Sequence, residues 1–369
     1  MHVLITADTV GGVWTYVREL VSGLARRGVR VTLISFGNIP SAEQVAWLDG
    51  LPEVDYRATA FRLEWMQDCQ ADLEISAKYV DQVVSEVKPE LLHLNQYYYG
   101  SLSCDVPRLV VAHSDVVSWW HAVHGHEPPE SKWLGWYREM VSRGLSGADA
   151  VSAPSQWMLG AISRHYLKPV SGFVINNGRS PFLFNPYVPK DDCVVSVGRL
   201  WDCGKQVSLL AEHEMPVKTY IVGSEVHPDA AYRAGLRGRN GISRVHFKGT
   251  QSESKLALLL ARSSIYVATS RYEPFGLAPV EAALSRCALI ANDIPTFREL
   301  WGEAACYFDS NDGESLRRVV ERLSDDPQLR AQYADRAYQH ARQRFSAERM
   351  VNSYMNLYQQ LAFRQSAAA

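Results

Sequence analysis

The chain has 369 residues, 47% of them hydrophobic and 21% charged. At roughly 100–200 residues per domain, that length calls for two globular domains and excludes wholesale disorder. A net charge of −2 conceals 14 Lys/Arg against 19 Asp/Glu in residues 1–171 and 24 against 21 in residues 172–369. Neither half is basic enough for a nucleic-acid binder, and the second is the better host for an anion.

Short β-rich runs alternate with helical patterns along almost the whole chain. The first half carries runs at 2–7 (HVLITA), 30–36 (RVTLISF), 90–95, 108–114 (RLVVAHS), 148–154 and 172–176. Between the first two, Val13, Val17, Leu20, Val21 and Leu24 recur at helical spacing until Gly28, which makes a βαβ unit and predicts a parallel sheet covered by helices. The pattern pauses at 176–192 (NNGRSPFLFNPYVPKDD) and restarts with runs at 193–199, 217–223, 244–249, 264–269, 288–292 and 306–309, helical patterns lying between them. The expected organisation is a doubly wound α/β domain over 1–175, a linker over 176–192 and a second doubly wound domain over 193–345. A helix over 346–363 ends the order, and the tail after Phe363 looks loose. Ligands of open α/β sheets sit beyond the carboxyl ends of strands where connectivity reverses, so two such domains facing one another predict a central cleft.

Cysteine and leader patterns bound the setting. Cys69, Cys104, Cys193, Cys203, Cys287 and Cys306 include no C-x-x-C pair, which argues against a zinc site and a disulfide framework and favours the cytoplasm. The N-terminal MHVLITADTVGG lacks a basic leader, and no run approaches the ~20 apolar residues of a membrane span. An acidic first domain makes docking on an anionic membrane less favourable, so peripheral contact is not indicated.

Three strand-to-helix loops could carry chemistry. In ADTVGGVW (7–14), Gly11 and Gly12 would let backbone approach an anion at a helix N-terminus, although a tight turn with no ligand is as good an account. In VGRLWDCGK (197–205), Arg199 and Lys205 follow the first strand of the second domain and suit a diphosphate, while a solvated surface turn remains the bland alternative. In SRYEPFGLAPVEAALSRC (270–287), Pro279 fits a first helical turn, so RYEPFG is the loop and the amides near Phe275 would point at an anion. Glu273 and Glu281 could accept hydrogen bonds from sugar hydroxyls, or simply be solvated and complement the helix dipole.

These segments together resemble the retaining glycosyltransferases of family 4, with EPFGLAPVE matching their E-x7-E signature. GGVWTYVRELVSGLARRGVRVTLIS, VSAPSQWM, VINNG, VGRL with Lys205, VHFKGT and FRELWGEAACYFDSND follow in the family's order. The resemblance implies the GT-B fold, with an acceptor-side N-terminal domain, a donor-binding C-terminal domain and a last helix that packs back on the first domain. It implies that Arg199 and Lys205 bind the donor diphosphate, that Glu281 holds the ribose, and that Glu273 contacts the transferred sugar. Amides of Phe275, Gly276, Leu277 and Ala278 would hold sugar oxygen or phosphate, Gly12 would approach the same diphosphate, and His113 would lie near the donor sugar. Two departures are that Arg199 and Lys205 stand one residue further apart than usual, predicting a bulged loop, and that N-N-G replaces P-N-G.

The implied function is metal-independent transfer of a sugar from a nucleotide diphosphate sugar to a hydroxyl of a carbohydrate or glycoside, with no cofactor. Family frequency favours a UDP-sugar, its base beside the backbone of 247–251. A nucleotide-sugar epimerase or phosphorylase of the same architecture, or a non-catalytic nucleotide-sugar binder, are the alternatives. On the acceptor side, residues 113–140 concentrate Trp119, Trp120, Trp133, Trp136 and Tyr137 with His121, His124 and His126, and NQYYYG adds Asn95 and Tyr97. Aromatic faces suit sugar rings, and core packing suits each ring equally. Asn95, Tyr97, Trp119 and Trp120 are the acceptor candidates, and the histidines lack the carboxylate pattern of a metal site.

Overall fold

The protein is described by a computed structural model covering residues 1–225 and 243–368, with side chains to Phe363. The helical pattern read between the strands at 217–223 and 244–249 lies outside the described residues. The chain divides into two compact units, one comprising Met1–His121, His126–Gly178 and Ala347–Ala369, the other Arg179–Ser346 with Ala122–Gly125.

The first unit contains β1 (His2–Asp8), α1 (Gly12–Ala25), β2 (Arg30–Phe36), α2 (Ala42–Val45), β3 (Val54–Ala58), α3 (Gln70–Val87), β4 (Leu91–Leu94), β5 (Arg108–Val111), α4 (Val116–His124), α5 (Lys132–Gly147), β6 (Ala150–Ala153), α6 (Gln156–His165) and β7 (Gly172–Val174). The strands form one sheet in the order β3-β2-β1-β4-β5-β6-β7, and every pairing is parallel. Its central strands read as continuous apolar runs because helices cover both faces. β3 is the strand that periodicity does not reveal: an edge position leaves Asp55 and Arg57 in it, the latter paired with Glu86 at 2.8 Å, and no apolar run forms. The run at 108–114 outlasts its strand, since the Ala112 N–H makes the last bond to β6, at the Ser152 carbonyl (2.7 Å), and the His113 N–H turns back onto the Val111 carbonyl at 3.1 Å.

The second unit contains β8 (Asp191–Val197), β9 (Lys218–Val222), β10 (Val245–Phe247), α7 (Glu253–Arg262), β11 (Ser263–Ala268), α8 (Leu277–Leu284), β12 (Ala288–Asn292), α9 (Pro295–Trp301), β13 (Cys306–Phe308), α10 (Gly313–Asp325) and α11 (Pro327–Arg344). Its sheet runs β10-β9-β8-β11-β12-β13, again all parallel. Both units are therefore Rossmann-like, with connectivity reversing between β1 and β4 in one and between β8 and β11 in the other, which marks the carboxyl ends of those strands as binding positions.

The last helix, α12 (Ala347–Ala368), belongs to the first unit. Met350, Val351, Tyr354, Leu357, Tyr358 and Leu361 join the core of β1, β2 and α1. Close packing depends on Gly23 in α1, where any Cβ would collide with the Val351 side chain. Among the described residues, no helix is long and apolar enough to cross a membrane.

Candidate active site

In the second unit the loop after β8 is a pair of tight turns. The Asp202 N–H donates to the Arg199 carbonyl at 3.2 Å and the Lys205 N–H to the Asp202 carbonyl at 2.9 Å, which absorbs the extra residue between Arg199 and Lys205. Asp202 organises this loop, one carboxylate oxygen accepting from the Gly204 N–H at 2.8 Å and the other pairing with Arg199 at 2.6 Å. The Arg199 guanidinium also lies over the Trp201 ring, 4.9 Å from its centre.

The loop after β11 is laced to it. Arg271 N–H donates to the Gly204 carbonyl at 2.9 Å and Thr269 Oγ1 to the Lys205 carbonyl at 2.7 Å. Lys205 Nζ thereby meets Glu273 Oε2 at 2.6 Å, where Ser270 Oγ also donates at 3.0 Å. Backbone crowding fixes the other side of the loop after β8. Gly223, at φ 153°, faces the Gly198 carbonyl so closely that no Cβ fits, and its N–H donates to the Gly249 carbonyl at 3.0 Å.

Gly276, at φ 89° and ψ 92°, begins α8 without any side-chain cap, a backbone conformation glycine tolerates and other residues resist. A helix N-terminus so formed favours an anion. The Phe275 ring is buried and packs edge-on against Phe345 at 5.2 Å, so this residue, like Leu277 and Ala278, can face a ligand only with its backbone. Glu281, one turn further on, is buried and ion-paired with Arg179 at 2.9 Å. Arg179 was invisible as a site residue because it stands in an irregular stretch where no spacing marks it; its one signal is a cation leading the apolar run SPFLF.

In the first unit, Gly12 opens α1 behind Gly11 at φ 79°, while Asp8 at the end of β1 accepts from the Val10 N–H at 2.6 Å. Asn95 follows β4 and His113 follows β5. Asn95 Nδ2 donates to the Thr6 carbonyl at 2.6 Å, so its Oδ1 must accept, and it does so from His113 Nε2 at 2.7 Å. Burial holds the His113 ring neutral, its pKa pushed down to about 3, and the Nε2–H tautomer leaves Nδ1 as an acceptor. Tyr16 packs edge-on against the same ring at 4.6 Å. Behind it, His93 is held by two tyrosines, Tyr16 at Nε2 (3.1 Å) and Tyr358 at Nδ1 (2.7 Å).

The acceptor candidates fare differently. The Tyr97 ring is buried with the core of the first unit, and its hydroxyl donates to the Ser114 carbonyl at 3.1 Å. Asn95 holds His113 through Oδ1 and the Thr6 carbonyl through Nδ2, each atom having capacity for a second hydrogen bond. Trp119 and Trp120 are half-buried and edge-on to each other at 6.3 Å. Trp133 stacks on buried Tyr137 at 5.2 Å. Glu64, unmarked by any motif, is buried and accepts the N–H groups of Tyr97 and Tyr98 at 3.1 and 2.9 Å; burial raises its pKa to about 7. Among the described residues, no group of three or more His, Cys, Asp or Glu is arranged to hold a metal ion.

Known proteins match this chain in two blocks. Residues 11–178 match the family model described as a glycosyl transferase 4-like domain, and residues 205–340 that of glycosyl transferases group 1. The lipopolysaccharide core biosynthesis mannosyltransferase LpcC of Rhizobium leguminosarum bv. viciae is 36% identical over 124 residues, which are 33% of this chain and only 35% of that relative's length. The O-antigen chain mannosyltransferase C of Escherichia coli is 22% identical with 97% of both chains covered. Among solved structures, a sucrose-phosphate synthase from Thermosynechococcus elongatus superposes with a TM-score of 0.80 at 19% identity, covering 100% of both chains. Anabaena HepE in complex with UDP-glucose superposes with a TM-score of 0.72 at 19% identity, again over 100% of both. At such identities these likenesses establish the fold.

Proposed function

The chain belongs to the glycosyltransferases of family 4, of the GT-B type, and on that footing we propose that it moves a hexose from a UDP-sugar to a carbohydrate or glycoside hydroxyl, retaining anomeric configuration and using no metal ion. The observation that carries this reading is the junction at the carboxyl ends of β8 and β11, where Lys205 and Glu273 meet at 2.6 Å beside the glycine-capped start of α8 that bears Glu281. A cation and an uncapped helix N-terminus suit the diphosphate of a nucleotide sugar, and the carboxylates of Glu273 and Glu281 suit the hydroxyls of its hexose and ribose.

In the proposed step the bond between the anomeric carbon and the leaving phosphate oxygen breaks, and the acceptor oxygen bonds to that carbon on the same face. The acceptor proton passes to the departing phosphate oxygen, so no enzyme nucleophile is consumed. Arg199 and Lys205 stabilise the charge growing on the diphosphate, which is where catalysis by fixed charges acts most strongly. Glu273 holds sugar hydroxyls, Glu281 the ribose, and the amides of Phe275 to Ala278 the oxygens between; in the first unit, Gly12 at the start of α1 is the backbone candidate for an anion. Neutral His113, an acceptor at Nδ1, suits a hydroxyl of the transferred sugar. Trp119 and Trp120 are candidates for the acceptor ring.

UDP is supported by the likeness to Anabaena HepE, whose structure is a complex with UDP-glucose. A second reading, mannose as the transferred sugar whichever base carries it, is favoured by the names of LpcC and of O-antigen chain mannosyltransferase C. A thermal-shift screen against UDP, GDP, ADP and their sugars identifies the donor, because a ligand of the native state raises the melting temperature. Product analysis with the selected radiolabelled donor then separates transfer from its rivals. Isomerised or phosphorolysed sugar would replace this reading with an epimerase or phosphorylase, and binding without turnover with a sensor protein.

A further inference from the structure

Glu281 is held by a residue that no sugar or phosphate need touch. Arg179, at the start of the second unit, is fixed by its own N–H on the Phe345 carbonyl at 2.9 Å and by a parallel bridge to Ser346. Its guanidinium lies over Phe184, 5.3 Å from the ring centre, and its side chain is only 1% exposed. Nε stands 2.9 Å from Glu281 Oε1, and a terminal nitrogen donates to Glu253 Oε1 at 2.7 Å. Glu253 opens α7, directly after the 247–251 segment.

Such an arrangement is not what stability alone would select. Burying a guanidinium is expensive in solvation, and replacing buried ion pairs with apolar side chains is often neutral or stabilising. A second carboxylate, Glu253, brings the local sum to one positive and two negative charges, more than neutralising the arginine requires. What the arrangement provides is direction. Two nitrogens of one rigid planar guanidinium reach two different carboxylates, Nε towards one oxygen of Glu281 and a terminal nitrogen to Glu253, and a cation beside a buried carboxylate favours the ionised form that accepts hydrogen bonds from hydroxyls.

We propose that Arg179 is a positioning residue for the donor, gripping Oε1 of Glu281 so that the carboxylate stays ionised and aimed at the ribose hydroxyls, with Glu253 bracing the same guanidinium from α7. The proposal rests on the nucleotide-sugar reading of the site, and the experiment separates the two. Calorimetric affinities are measured on the full chain for the best-bound of UDP, GDP and ADP and for its 2′-deoxy analogue, in wild type, Glu281→Gln, Arg179→Met and Arg179→Lys.

A hydrogen bond to a charged group corresponds to about 10- to 100-fold in affinity, so wild type should prefer the ribonucleotide by about that ratio. Glu281→Gln and Arg179→Met should both bring the preference to within about threefold. Arg179→Lys should restore part of it, and in Arg179→Met the donor KM should rise with kcat at saturating donor nearly kept. A merely structural arginine would change the melting temperature and leave ribose selectivity intact. An undiminished preference in folded Arg179→Met overturns the proposal; should that variant not fold, an undiminished preference in Arg179→Lys does so. Wild type that binds no diphosphate overturns the nucleotide-sugar reading itself.

Discussion

Replacing Lys205 with Met should separate stability from turnover. Lys205 Nζ and Glu273 Oε2 are 2.6 Å apart, and the two side chains are 22% and 12% exposed, between a surface pair worth about 0–1 kcal/mol and a buried pair whose breaking costs about 3–5 kcal/mol. A loss of about 1–2 kcal/mol follows, because the orphaned Glu273 keeps the Ser270 hydroxyl at 3.0 Å and can still reach water. For a unit of this size each kcal/mol moves Tm by about 2–4 °C, so calorimetry should show a fall of about 2–8 °C. Transfer should drop much further, by about 10²- to 10³-fold, the usual loss on removing one preorganised group that stabilises developing negative charge. In the cycle with Glu273→Gln, the double variant should recover stability relative to the sum of the singles, since each single strands the other's partner, and should recover no activity. Initial rates with radiolabelled donor decide the matter: a Lys205→Met enzyme keeping more than about a tenth of the wild-type rate would refute the role of this lysine.

Arg199→Ala should cost about 10²- to 10³-fold in turnover with a modest fall in Tm, because Arg199 is 40% exposed but its partner Asp202 is only 5% exposed and would keep the Gly204 N–H alone of the two contacts described. Gly223→Ala should destabilise the second unit by more than about 3 kcal/mol or yield insoluble chain, since its Cβ would enter the Gly198 carbonyl at φ 153°, a clash that backbone cannot relieve cheaply; soluble protein with an unchanged urea midpoint would contradict this. His93 and His113, each held near pKa 3 by burial against an ordinary 6.5, should show ring resonances that do not titrate between pH 8 and 5. Unfolding then takes up a proton at each, so their stability is whole above about pH 6.5 and falls by about 1.4 kcal/mol per pH unit per histidine toward pH 3. Glu64, raised from 4.5 to about 7, runs the other way over that interval, being stabilising when protonated, so Glu64→Gln should lose stability more steeply than wild type on acidification from pH 6.5 to 4.5.

Much of this could be read from residue order because a parallel sheet buried on both faces leaves apolar runs and the loops after those runs are where ligands bind. The runs at 30–36 and 288–292 match β2 and β12 residue for residue. β3 escaped notice because one residue in two at a sheet edge meets solvent and the pattern carries Asp55 and Arg57. Lys205 and Glu273 were legible as loop residues but not as partners, since their meeting depends on the hydrogen bonds that lace one loop to the other. Three tyrosines in sequence look like a sugar platform, and that run does not reveal the burial of Tyr97 and Tyr99, whose hydroxyls bond Ser114 and Ser76. Arg179, the residue with the most to say about Glu281, offered no periodicity at all.

The cations of the second unit share a pattern that charge counting could not reveal. Arg199 is matched by Asp202, Lys205 by Glu273, and Arg179 by Glu281 together with Glu253. Arg199 and Lys205 are therefore already paired where the diphosphate is proposed to bind. Both meet their carboxylates before any phosphate arrives, and a donor must exchange partners with them instead of entering a preformed positive well. Such exchange lowers the net gain from each phosphate contact, because the displaced carboxylate has to find a new donor. For Glu273 the new donors are sugar hydroxyls, which an intact nucleotide sugar supplies in the same event. A bare anion supplies none, so the same pairing that hides the site in the charge balance would favour the whole donor over inorganic phosphate or diphosphate.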